Sequence, residues 1–259
     1  MANSFLEASF FCCHCSFVFN SHLQKKFFKS FYNSGLSGFI AGFVLSIGFT
    51  AYVFSMYSTT VANVNFIITT ETIFLAVLGY FFLKEKINII TFISIIVGMA
   101  GVLLILGSSL SIKSNEQFIG NIVAFLAPIS LAIFVIIIRK SPNVDMIPAQ
   151  FTAGVFSAII AYFIAGQLSI SSHDLFLALL AGFFQIGFGF ILITIGSQTT
   201  PSAVVGVLML TEAVFGPLWV WLFINETPPI SVLIGGGVIV LSILLQSFYG
   251  KKIITFQKN

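Results

Sequence analysis

Charge is what this 259-residue chain has least of. It carries 11 Lys and Arg and 8 Asp and Glu, so charged residues make up only 7% of the sequence, against about 25% in ordinary soluble domains. So few charges cannot cover a water-facing surface of this size. Hydrophobic residues make up 58%, and Phe alone occurs 32 times. This excludes an ordinary soluble fold, and no polar stretch is long enough for a separate soluble domain. The composition points to one polytopic membrane domain. Cysteine is scarce too. Cys12, Cys13 and Cys15 sit with His14 in a single CCHC cluster, so no distant thiol exists for an intrachain disulfide. The cluster lacks the CxxC spacing that lets two sulfurs converge on zinc, and reads as part of an apolar stretch. Also missing are a phosphate-binding glycine loop with its lysine, a paired-His metal motif and a nucleophile–base set. No enzyme chemistry, cofactor or metal is therefore expected. The few basic residues make no nucleic-acid patch. Glu7 stands where a signal peptide carries positive charge, so a cleavable leader is not expected.

What is present is a series of long apolar runs. A spanning helix needs about 20 such residues, and eight segments qualify: approximately 35–56, 60–83, 89–106, 118–138, 148–165, 175–195, 203–223 and 230–248. A ninth stretch, 10–19, is too short to span comfortably. If the chain alternates sides through eight helices, one side receives Lys25, Lys26, Lys29, Lys84, Lys86, Arg139, Lys140, Lys251, Lys252 and Lys258. The other receives only Lys113. That asymmetry marks the first side as cytoplasmic. The expectation is a multi-pass protein of the cell (inner) membrane with a cytoplasmic C-terminus.

The chain also resembles itself. Residues 58–85, STTVANVNFIITTETIFLAVLGYFFLKE, align without a gap on residues 199–226, TTPSAVVGVLMLTEAVFGPLWVWLFINE, at an offset of 141. Thr70-Glu71 falls on Thr211-Glu212, and Glu85 falls on Glu226. Five spans separate equivalent points, an odd number, so the two copies enter the membrane from opposite sides. Inverted repeats of this kind are typical of secondary transporters, and groups at mid-depth stay there under the pseudo-two-fold operation. The expected fold is an all-α, polytopic membrane helix bundle of two inverted-topology repeats. Residues 1–110 form a first repeat shortened at its N-terminal end, residues 115–250 form a second repeat of five helices, and together they make one membrane domain.

These two stretches, with the helix INIITFISIIVGMAGVLLIL that follows the first, resemble the repeat of EamA-type members of the drug/metabolite transporter superfamily. The resemblance runs from about residue 35 to 248. It implies a ten-helix fold, of which eight to nine helices are present here, around a central cavity for a small metabolite. The chain departs from the family in two places. Thr72 stands where members often have Pro, and the family's tryptophan-containing first helix has no counterpart.

The candidate site is built from polar residues inside the spans. A carboxylate at the centre of a spanning helix costs about 2.5–3.5 kcal/mol on insertion scales. Glu71 and Glu212 are therefore read as cavity carboxylates that hold a cationic substrate group or exchange a proton. The plainer alternative is a neutral acid bonded to a neighbouring hydroxyl or carbonyl. Thr70, Thr72 and Thr211 flank the two acids as candidate substrate contacts, although threonines in spanning helices also bond back to their own backbone. Gln185 lies near the centre of its helix and is too polar for lipid. Trp219 joins the list as a candidate cavity wall, with Asn63, Asn65, Asn121 and Tyr52 behind it. Pro217 leaves the Ala213 carbonyl without its usual partner and is the candidate hinge. Glu85, between Lys84 and Lys86, and Glu226 are read as solvated charges at helix ends. Gly98, Gly101 and the run Gly235-Gly236-Gly237 are read as close helix contacts.

The functional expectation is a secondary transporter that moves a small metabolite by alternating access. Its partners would be a small-molecule substrate and the lipid bilayer, with coupling by protons or by metabolite exchange, and a homodimer as the assembly to test. The alternative is a truncated, transport-inactive relic or a membrane subunit of the same family, motivated by the unmatched first helix.

Overall fold

The computed structural model describes residues 21–107, 110, 114–164, 171–224 and 228–256. The CCHC cluster, the stretch 10–19, Lys113 and Glu226 lie outside them. The described residues are almost wholly helical. In chain order the helices are α1 (Ser21–Ser58), α2 (Val61–Thr69), α3 (Glu71–Leu83), α4 (Ile89–Leu106), α5 (Asn115–Ala124), α6 (Leu126–Lys140), α7 (Ile147–Ile164), α8 (Ser172–Leu180), a π-helical segment Ala181–Phe188, α9 (Gly189–Thr199), α10 (Ser202–Met209), α11 (Thr211–Ile224) and α12 (Ile230–Phe256). Among the described residues, seven spans are long and apolar enough to cross a membrane: Lys29–Ser58, Val61–Leu83, Ile89–Leu106, Asn115–Lys140, Ala178–Thr199, Ser202–Phe223 and Ile230–Tyr249. A shorter apolar helix, Ile147–Phe163, falls at the remaining expected segment.

The helices start where short polar side chains can accept the first free N–H groups. Thr60 accepts from the Asn63 N–H, Asn88 from Ile90, and Ser114 from Gln117. Proline supplies other starts: Pro148 lies in the first turn of α7, and Pro201 caps α10. Pro tolerates these positions because its missing N–H would have had no helical partner there.

Polarity is arranged as a membrane demands. Outward-facing side chains include Phe81, Phe163, Phe223 and Ile230, each more than two-thirds exposed. Ser46, Thr72, Ser94, Ser202, Ser242 and Gln246 are buried. Lipid provides no hydrophobic drive between helices, so small residues that let backbones approach carry the packing. The main core gathers Leu45, Leu75, Phe134, Ile138 and Met146 from α1, α3, α6 and the start of α7. A second cluster joins Val102 and Ile105 of α4 to Leu210 and Ile239.

The repeat is visible in the architecture. Val61 and Ser202 open the paired segments, Ile89 and Ile230 open the helices that follow, and both pairs are 141 residues apart. The equivalent helices α4 and α12 pack through their glycines. Gly101 lies against the Gly235 carbonyl and Ile239, Gly98 against Ser242, and the Ser242 hydroxyl donates to the Ser94 carbonyl at 2.7 Å. As the position in α4 rises, its partner in α12 falls, so these equivalent helices run antiparallel and the two copies are inverted. Gly98, Gly101 and Gly235 thus make the close contacts expected of them. Gly236 and Gly237 meet little or nothing.

Candidate functional site

Three spans expected to be continuous are broken; one breaks at Phe125, and the other two break within one residue of equivalent points. Of that pair, the first breaks at Thr70 (φ −65°, ψ −11°) and the second at Leu210 (φ −59°, ψ −14°). Both ψ values are much flatter than the −42° or so of a regular helix. Tighter i−3 bonds carry the chain across: Thr70 N–H to the Ile67 carbonyl at 3.1 Å, and Ala213 N–H to Leu210 at 3.1 Å. A threonine hydroxyl bonds back to the chain at each break. The Thr70 hydroxyl donates to the Ile67 carbonyl at 2.5 Å, and the Thr211 hydroxyl to Leu208 at 2.7 Å. Such back-bonding competes with the helical ladder and bends it. In each "TE" pair the threonine sits at the break and the glutamate in the first turn of the new helix, Glu71 in α3 and Glu212 in α11. The positive end of a helix dipole favours a carboxylate there.

The two breaks face one cavity of about 470 Å³. Its wall comprises Asn65, Ile68, Thr69 and Glu71 from the first broken span, Ile105 and Leu106 from α4, Met209, Glu212, Ala213, Gly216 and Pro217 from the second broken span, and Pro228, Pro229 and Val232 at the start of α12. Among the described residues of this lining the two acids are the charged ones. Glu71 is 4% exposed, while Glu212 is more open. Glu212 lies within electrostatic reach of both Glu71 and Tyr52. Among the described residues neither acid has an ion-pair partner. An unpaired carboxylate pair in an otherwise mostly apolar cavity suits a cationic group or a proton.

The remaining candidates fall in different places. Thr70 and Thr211 hold the breaks and are not in the lining. Thr72 is fully buried, and its hydroxyl donates to the Gly206 carbonyl of α10 at 3.0 Å. Trp219 is 52% exposed and stacks beside Phe215 and Phe223, away from the cavity. Gln185 lies in the π-helical segment Ala181–Phe188, a geometry often found at functional sites; its side chain is outside the described residues. Pro217 is in the lining, with the Ala213 it deprives of a bond. Asn63 and Asn121 meet each other and Thr59 in a separate polar cluster. Met209, Ala213 and Gly216 were missed, although the three-to-four spacing that carries Glu212 would have found them.

The reading of Glu85 as a solvated charge is wrong. Lys84 ends α3 in a left-handed conformation (φ 55°), which turns Glu85 away from its lysine neighbours. Its Oε1 accepts from Arg139, with Nε at 2.9 Å and Nη2 closing a fork. Its Oε2 accepts from the Ser202 backbone N–H at 2.8 Å and hydroxyl at 2.7 Å. Arg139 Nη1 also donates to the Gln198 carbonyl at 3.1 Å, and the Gln198 side chain donates to the Val144 carbonyl at 2.9 Å. Both charged side chains are only 18% exposed. Nothing in the local sequence points to this partner, because Arg139 lies 54 positions away.

Comparison with known proteins agrees with this architecture. The model of the EamA-like transporter family matches residues 2–107 and 118–248. An uncharacterized transporter of Methanothermobacter thermautotrophicus is 26% identical over 192 residues, which is 71% of this chain and 55% of that protein. The chain therefore spans only about half the length of that relative. An uncharacterized transporter of Clostridium kluyveri is 23% identical over 218 residues, covering 80% of this chain and 70% of that protein. A crystal structure superimposes with a TM-score of 0.75 at 15% identity, over 97% of this chain and 87% of the other; at that identity it supports the fold alone.

Proposed function

Because the chain belongs to the EamA-like transporter family, we propose that it is a secondary transporter that moves a small metabolite across the cytoplasmic membrane by alternating access. One observation carries this reading: two equivalent, inverted helix breaks present Glu71 and Glu212 to a single cavity. Discontinuous helices at the repeat interface are where such transporters hold their cargo. Two acids, with no cation among the described lining residues, favour a substrate with a cationic group, or exchange of substrate against protons. With the C-terminus cytoplasmic, the cavity lies toward the outer side. Leu106 and Pro228–Val232 are then at its outer end, and the Glu85–Arg139–Ser202 contact is at the cytoplasmic end. Pro217 and the Thr-held breaks are where the helices would flex.

The test is uptake into vesicles containing the purified chain, against a competition panel of amino acids, nucleotides and cofactor-like metabolites. Replacing Glu71 and Glu212 together with Ala should reduce transport of the responding substrate at least about a hundred-fold, equivalent to about 2.7 kcal/mol. Transport that survives the double replacement would remove the carboxylates from the mechanism.

A further inference from the structure

We infer that Glu85 is the latch of an inner gate, and that breaking its contacts opens the cavity on the side opposite to the one open here. The inference rests on the transport reading for its biological meaning, but its geometry stands on different residues. Glu85 follows α3, the half-helix that begins at Glu71, and Ser202 begins α10, the half-helix that leads to the break before Glu212. The latch therefore ties together the far ends of the two broken spans whose middles carry the acids.

Between latch and breaks the spans are in close contact. A side chain at Gly79 would collide with the Ser202 hydroxyl, and one at Gly206 would lie 2.8 Å from the Thr72 Cα. On the other side of the breaks the same two spans stand apart around the cavity, with Asn65 and Thr69 on one wall and Gly216 and Pro217 on the other. Among the described residues this helix pair is in contact at one end and parted at the other, and the charged contact is at the end in contact.

The chemistry of the contact suits a device that opens. A core staple would be apolar and dry. This one is an ion pair beside a crevice of about 450 Å³ that also bears Lys84, Lys86, Asn88 and Thr91, so water can take over its hydrogen bonds as it parts. Glu85 also accepts at the N-terminal end of α10, where a helix favours an anion. Behind the latch, Ala76 and Ala203 line the same crevice while 5% and 7% exposed. Opening this end would uncover them.

The experiment uses the full chain in detergent micelles, with Cys12, Cys13 and Cys15 replaced by Ser and one reporter thiol at a time. Ala76→Cys reports the region behind the latch, and Asn65→Cys reports the cavity wall. The readout is the rate of modification by a small charged methanethiosulfonate. Glu85→Gln should raise the Ala76→Cys rate at least ten-fold and lower the Asn65→Cys rate several-fold. Arg139→Lys, which keeps the charge and loses the fork, should shift both rates the same way by less. A static staple predicts otherwise. If Glu85→Gln lowers the melting temperature yet leaves both rates within two-fold, or raises both together, the gate is overturned. Should Glu85→Gln not fold, Arg139→Lys and Ser202→Ala are judged by the same two rates. No substrate is needed, so a negative uptake result would bear on the transport reading and leave this result intact.

Discussion

Glu71 and Glu85 bracket the same short helix and are treated in opposite ways. Glu71 is almost fully buried at a helix break, faces a cavity and has no cation among the described residues. Glu85 is 18% exposed at a helix end, and every oxygen it has is occupied by Arg139 or Ser202. If stability alone had been selected, the deeply placed acid would be the one with partners. The difference teaches that the middle of this helix pair is kept available at an energetic cost, while its end is held shut by groups that water can replace.

The closed end is the easiest part of this contrast to disrupt. Gly206→Leu would drive a side chain into the Thr72 backbone, and should destabilise the protein by about 3 kcal/mol, the upper part of the range for overpacking. Thermal melting in detergent is the check, and a change under about 0.5 kcal/mol would show that the contact at Thr72 is looser than described. The same substitution at the two acids sharpens the comparison. Glu71→Gln removes an unpartnered ionisable group from the membrane interior and should stabilise the fold by about 1 kcal/mol, part of the cost of an intramembrane carboxyl group. Glu85→Gln should destabilise it by about 1–2 kcal/mol through weakened charged hydrogen bonds. Melting shifts of the same sign would break the contrast. The smallest effect is expected at Lys84, whose positive φ is a strain that glycine relieves. Lys84→Gly should gain less than about 1 kcal/mol, with the rates at the two reporter thiols unchanged.

Much of the fold was legible because it depends on local, repeated properties. Hydropathy located the helix over Ile89–Leu106 and the start of the last one at Ile230, both as observed. The offset of 141 anticipated two inverted copies. The acids were legible because a carboxylate in an apolar run is conspicuous. The helix breaks were not, since the threonine at each one is an ordinary spanning residue in the sequence and the same i−3 back-bond at Ser46 leaves its helix unbroken. The π-helical turn at Ala181–Phe188 left no sequence sign that hydropathy detects. The contact of Glu85 is hidden in the sequence, where Lys84 and Lys86 stand beside it. Only the left-handed turn at Lys84 carries it to Arg139, and a pairing over that separation is a property of the fold.

The seam between α4 and α12 has a consequence of its own. Gly98 meets Ser242, and the repeat-related contact is Gly101 against Ile239. Gly101 meets Gly235, and the repeat-related contact is Ser242 on Ser94. Each contact is thus matched by its mate, as in the isologous interface of a two-fold homodimer. Here both subunits belong to one polypeptide. Fusion frees the two sides to diverge, so glycine on one side can answer serine or isoleucine on the other. A true homodimer, with identical sequences on both sides, could not distribute its residues that way.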